Sequence, residues 1–158
     1  MDELRAAALA TLMGRVPAGY WGAMGANLDL VRSIYADWER GDFGHAAEWA
    51  DADIEYVLAG GGPADGSWRG LDGMAEGFRN YLSAWEDFRV QADEFRELDD
   101  GRVLVLTWYS GRGKTSGLNL GSTGERGATL FHVRGRVVTR LVTYATSDSA
   151  LADLGLEK

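Results

Sequence analysis

Glu48–Gly62 reads EWADADIEYVLAGGG, and the way its middle is oriented decides the fold. Asp53 to Leu58 alternates charged or small residues with Ile54, Tyr56 and Leu58, the pattern of a half-buried strand. Three glycines and Pro63 then exclude regular structure as far as the Trp68-Arg69-Gly70 segment. Along a strand, residues two apart share a face, so Asp53, Glu55 and Val57 oppose Ile54, Tyr56 and Leu58. Hydrophobic patterning sends the Ile-Tyr-Leu face to the core and the carboxylates to water. Asp51 then belongs to the preceding loop, and Asp53 marks the start of the strand at the rim.

Upstream, Asn27–Gly41 (NLDLVRSIYADWERG) carries Leu28, Val31, Tyr35 and Trp38 at spacings of three and four, with Ile34 beside them. This predicts an amphipathic helix capped by Asn27 and stopped at Gly41. A short second helix is expected over Phe43–Trp49, with Asp42 as its cap. Residues 2–14 predict a further helix, and the Gly-rich piece from Val16 to Asn27 reads as loop, so residues 1–26 form an N-terminal extension or arm before a domain spanning 27–158. Downstream, Leu71–Trp85 returns to a helical period through Met74, Phe78, Tyr81 and Leu82. The remainder is strand-like: FRVQADEF, with a register slip near Asp93 that marks a bulge, then RVLVLTWYS, then two strands joined at Arg134-Gly135. SDSALADLGL closes the chain as a short helix, capped at Ser147 or Asp148 and stopped at Gly155. Helices first, then hairpin-linked strands without helices between them, predict an α+β domain with helices on one face of an antiparallel sheet.

The 158 residues suit one domain with a substantial core, and 46% hydrophobic content argues against disorder. Sixteen basic against 24 acidic residues give a formal charge of -8, which opposes nucleic-acid binding and docking on anionic membranes. No segment has the length and apolarity of a membrane span, and the apolar AAALATLMG lacks the positive start of a secretory signal. The chain has no cysteine, which removes thiol chemistry and fits a reducing cytoplasm.

Several motifs invite a functional reading. Gly111–Ser116 (GRGKTS) contains the Gly-Lys-Thr of a phosphate-binding loop, but Trp108 stands where the first glycine belongs, and strands flank it where a helix is required. His45 and His132 have no partners at metal-ligand spacing, so no metal site and no cofactor are expected. His132 reads as a sheet-surface residue. The six tryptophans and six tyrosines fit a core or subunit interface, or an apolar ligand pocket.

LVRSIYADWERGDFGHAAEWADADIEYVL, SWRGLDGMAEGFRNYLSAWEDF, VLVLTWYSGRGKTSG and ATLFHVRGRVVTRLVTY, with ALADLGL behind the last, together resemble the SnoaL-like branch of the nuclear transport factor 2-like (NTF2-like), or ketosteroid isomerase-like, superfamily. The resemblance covers residues 27–155. It implies a cone-like fold in which a strongly curved antiparallel sheet wraps around helices and leaves a pocket at its open end, with homodimers formed through the sheet. It leaves the reaction open, since such folds host isomerases, cyclases, epoxide hydrolases and scaffold domains alike. The proton-abstracting aspartate of ketosteroid isomerases falls on Val57, their oxyanion-binding tyrosine on Ile34 and their second acid on Thr129, so that chemistry is unmatched.

The resemblance also turns strand parity around, pointing Glu55 and Val57 into the cone. On that parity Glu55 would be the proton-transfer group on a small, apolar, carbonyl-bearing molecule, with Arg112 or Thr129 stabilising developing charge. Tyr35, Trp38, Val57, Arg69, Phe131 and Tyr144 would line the pocket. The rival expectation is a ligand-binding or dimeric interaction domain without chemistry, whose pocket holds no group titrating near neutral pH. Both readings take a small apolar molecule as partner and place the protein in the cytoplasm.

Overall fold

A computed structural model describes residues 18–59, 66–98, 101–114, 117, 119–120 and 126–157. The expected helix over 2–14, most of the loop after strand 1, and Thr115 and Ser116 of GRGKTS lie outside these residues.

Helix α1 spans Ala18–Glu39. It therefore starts upstream of Asn27, through the Gly-rich piece that reads as loop, and is continuous across the expected 26/27 boundary. Val31, Ile34, Tyr35 and Trp38 are its buried stripe. The expected second helix is only a 3₁₀ turn, Ala46–Glu48. Strand β1 follows at Ala50–Ala59, and β2 at Gly66–Arg69. Helix α2, Gly70–Ser83, buries Met74 and Gly77. A Cβ on Gly77 would stand 2.9 Å from ring atoms of both Trp68 and Tyr56, so the bare backbone lets α2 sit directly on those rings.

Strands β3 (Trp85–Glu97), β4 (Arg102–Gly113), β5 (Asn119–Leu120), β6 (Gly127–Arg134) and β7 (Val137–Tyr144) follow, and α3 is Ser147–Leu154. The β3–β4 register shifts between Ala92 and Glu94, at the bulge the alternation marks, and again between Glu86 and Arg89. The β6–β7 turn falls on Gly135 and Arg136, at φ 58° and 70°, one residue later than expected. Two consecutive positive φ values make the tight hairpin turn whose twist suits the flanking strands. Thr146 caps α3, its Oγ1 accepting the Ser149 N–H at 3.1 Å.

The sheet order is β2-β1-β7-β6-β4-β3, with β5 on β4. This corrects the expected architecture in two respects. The sheet is mixed, because β1 pairs parallel with β7 while the other pairs are antiparallel. It is also neither strongly curled nor closed: β2 and β3 end it as separate edges. Alternation along a strand reports which face is buried, not strand direction or sheet closure, so neither feature was visible in the pattern.

Two apolar clusters lie on opposite faces of this sheet. On the inner face, α1 and α2 cover Ile54, Tyr56, Val103, Val105, Phe131 and Leu141. On the outer face, Leu104, Leu106, Ala128, Leu130 and Val142 are buried against Ala150 and Leu151 of α3. The chain beyond α3 stays on this side, where its Glu157 carbonyl accepts from Arg96 Nη1 at 2.8 Å.

Candidate functional site

The inner face holds a cavity of about 50 Å³. One water needs roughly 10–15 Å³, so the space suits a compact molecule. Tyr35 and Trp38 enter from α1, and Phe43 from the loop after it. Helix α2 contributes Phe78, Tyr81 and Leu82, and β3 contributes Phe88 and Val90. The sheet floor supplies Tyr56, Tyr109, Thr129 and Thr143 from four successive strands, β1, β4, β6 and β7.

Eight of these residues are aromatic, and their rings brace one another. Trp38 packs edge-on against Tyr35 at 5.0 Å and Phe78 at 5.8 Å between centroids, and stacks on Phe43 at 6.0 Å. Tyr56 meets Phe78 edge-on at 4.8 Å, and Tyr81 meets Phe88 at 5.5 Å. Each such pair contributes about 0.5–1.5 kcal/mol beyond its buried area, so the wall is stiff. Tyr109 owes its place to Gly127, where a Cβ would come within 2.1 Å of Tyr109 Cε2.

Hydroxyls provide the polar part of the lining. Burial pushes the Tyr35, Tyr56, Tyr81 and Tyr109 phenols up from their ordinary range, so all four stay protonated at neutral pH. Tyr109 Oη and Thr129 Oγ1 are 3.3 Å apart and share a hydrogen bond. Thr129 is close enough to Tyr35 to oppose part of the rise in its pKa, yet the fully buried Tyr35 Oη has no partner in bonding geometry. Thr107 Oγ1, behind Tyr109, is likewise buried and unpartnered. Among the described residues no carboxylate, imidazole, ammonium or guanidinium lines the cavity.

Of the residues singled out from sequence, Tyr35, Trp38 and Thr129 stand in this lining. Phe131 lies behind it, fully buried, its ring 5.9 Å from those of both Tyr35 and Trp38. The other expected residues are elsewhere. Glu55 is on the outer face, its Oε1 3.0 Å from Arg140 Nε and its side chain 39% exposed. The inward parity taken from the resemblance is therefore corrected: Ile54, Tyr56 and Leu58 are the buried set of β1, as plain alternation requires. Val57 turns outward with Glu55 and packs on the second cluster. Tyr144 is also on that side, donating to Asp153 Oδ2 at 2.7 Å. Arg69 is exposed on edge strand β2, opposite Glu55 in register. Arg112 pairs with Glu86 at 2.6 Å on the exposed β3–β4 edge. Glu55, Arg112 and Thr129 are thus not brought together. Tyr56, expected only as a core residue, and Tyr109, not singled out, are legible as lining by extending the alternation of Ile54–Leu58 and of Val103–Thr107 to the ring.

Comparison with known proteins agrees with this architecture. The family model described as the SnoaL-like domain matches residues 31–141. The uncharacterized protein Rv0034 of Mycobacterium tuberculosis is 28% identical over 126 residues, covering 79% of this chain and 92% of that protein. Among solved structures, an NTF2-like protein from Burkholderia thailandensis superposes with a TM-score of 0.65 at 20% identity, covering 83% of this chain and 98% of that one. TerC, co-crystallized with polyporic acid, superposes with a TM-score of 0.63 at 20% identity, covering 82% and 97%.

Proposed function

The chain belongs to the SnoaL-like domain family, and from that premise we propose that its inner cavity binds a small, neutral, ring-bearing molecule through one oxygen acceptor, without moving a proton on it. The observation that carries this reading is the lining: rings and protonated hydroxyls, with no acid or base that titrates near neutral pH among the described residues. A neutral ligand fits because an unpaired charge there would lose its hydration with no counter-ion to replace it. An oxygen acceptor fits because the partnerless Tyr35 hydroxyl, and the Tyr109–Thr129 pair beside it, would gain the hydrogen bond they lack. Proton transfer by Glu55 would require its carboxylate on the opposite side of the sheet from where it lies. The polyporic acid held by TerC supports a ligand site in a fold of this kind.

Matched probes test the proposal: acetophenone against ethylbenzene, followed by Trp fluorescence and by NMR. The ketone is expected to bind more tightly. Tyr35→Phe should erase about 0.5–1.5 kcal/mol of that difference, the net value of one neutral hydrogen bond, and leave ethylbenzene binding unchanged. Failure of both probes to bind, or discovery of a turnover that Glu55→Gln abolishes, would overturn it.

A further inference from the structure

The outer face carries a second, unlike constellation that plays no part in the cavity. Across five neighbouring strands, one residue from each falls in register: Arg102 on β4 opposite His132 on β6, His132 opposite Arg140 on β7, Arg140 beside Glu55 on β1, and Glu55 opposite Arg69 on β2. Registered partners share a face, so these side chains form one row. The row holds three arginines and a histidine against one carboxylate, on a chain whose formal charge is -8. The adjoining turn adds Arg134 and Arg136, both exposed.

From this row we propose that Arg102 and Arg140, on either side of His132, form a binding site for a phosphate group on the outer face of the sheet. Three observations carry it. First, the two arginines are separated by one intervening strand, so their backbones lie about 10 Å apart, a distance two long side chains close around a tetrahedral oxyanion. Second, two neighbouring nitrogens in the row are buried without hydrogen-bond partners: His132 Nε2 and Arg140 Nε. Arg140 Nε is 3.0 Å from Glu55 Oε1, but out of line for a hydrogen bond, so this is an ion contact only. Buried polar atoms left unpaired point to a group that completes them. Third, the Arg140 side chain remains 44% exposed, so its other nitrogens are open to a ligand. Arginine suits this task because its fork donates two parallel hydrogen bonds to a phosphate.

The neighbourhood sets the sign of the effects. Burial holds His132 below its ordinary 6.5, and Arg140 and Arg102 push it further down while Glu55 pulls it up. An anion between the arginines offsets their field and raises the imidazole pKa, so phosphate uptake carries a proton with it. Other charges near the row are Asp153 of α3, already held by Tyr144, and the exposed Arg69 on the edge strand. Glu55 is the group that opposes the anion.

The test is a titration of the full chain with inorganic phosphate at constant ionic strength, following both imidazoles by NMR. His45 serves as the internal control, since both of its ring nitrogens already contact carboxylates. Saturable binding should raise the His132 pKa and leave His45 unmoved. Arg102→Gln and Arg140→Gln should each weaken binding about three- to tenfold, the range of a partly exposed charge-assisted contact. Arg102→Lys should fall between, and Glu55→Gln should tighten binding. Melting curves of each variant separate lost binding from lost folding. Methyl phosphate run in parallel distinguishes a phosphomonoester, which would bind more tightly, from free phosphate. A His132 response that chloride reproduces, or an affinity indifferent to Arg102 and Arg140, would overturn the assignment.

Discussion

The two faces of one sheet have been given opposite chemistry. The inner face is built of rings and hydroxyls, closed by two helices, and uncharged wherever it meets the cavity. The outer face is aliphatic in the middle, under α3, and ionic toward one end, where Arg102, His132, Arg140, Glu55 and Arg69 stand in a row. Because β1 alternates, Tyr56 and Glu55 are adjacent in the chain yet serve different faces. Charge is tolerated where water or a counter-ion can reach it and excluded where rings have removed both. A carboxylate one position along a strand is therefore no closer to the cavity, for chemical purposes, than one on a distant loop.

This contrast can be broken most forcefully at Phe131, which braces Tyr35 and Trp38 from behind. Phe131→Ala should cost about 3–5 kcal/mol in urea unfolding and also abolish cavity binding. Leu104→Ala on the outer face should cost about 2–5 kcal/mol, yet leave ligand binding intact in whatever fraction stays folded. Equal loss of binding in both would mean that the faces are not independent. Gly77→Ala is a smaller perturbation with two opposed terms. Alanine in a helix gains about 1 kcal/mol over glycine, but its Cβ would stand 2.9 Å from the Trp68 and Tyr56 rings. Overpacking of that kind costs about 1–3 kcal/mol, so a net loss is expected, with the Tyr56 wall displaced.

The smallest effect compares the two histidines. His45 is raised above its ordinary 6.5 by its hydrogen bond and charge contact with Asp42, then by Glu48. Its contribution to stability is fully present below 6.5 and is lost as pH rises through the folded value. Asp42 is lowered from 3.8 by the Gly44 N–H first and by His45 second, so its contribution is present above 3.8 and is lost as pH falls through the depressed value. His132, depressed by burial, shows the reverse of His45: stability falls as pH drops from 6.5 toward its folded value. An NMR titration should show His45 protonating first on acidification. The opposite order would mean that the ionic row is more negative than its residues suggest.

Much of the fold was legible because local patterns report burial well. The stripe Val31-Ile34-Tyr35-Trp38, the period of α2, the bulge near Asp93 and the final helix with its stop at Gly155 follow from spacing and turn chemistry, although that helix is capped by Thr146 and not by the expected Ser147 or Asp148. What spacing does not carry is strand direction and sheet closure, and there the expected antiparallel, strongly curved sheet gave way to a mixed, open one. The site was half legible. Tyr35, Trp38 and Thr129 follow from their faces, whereas Glu55 followed from a borrowed parity that the alternation of Ile54, Tyr56 and Leu58 already contradicted. Phe43 carries no periodic signal, and Phe88, though in step with Val90, sits where its strand slips register; only the assembled chain brings the two rings together, 6.3 Å apart.

The placement of α3 bears on where this domain can be cut. The family match ends at residue 141, before α3 begins at Ser147. A fragment trimmed to that match would keep the aromatic rings of the cavity, lose Thr143 from its floor and uncover Leu104, Leu106, Ala128 and Leu130 as an aliphatic sheet surface. Such a surface seeks another sheet. Expression by family boundaries would thus favour self-association, and a fragment that keeps this surface covered runs through Leu154 and Leu156, which pack against the same cluster.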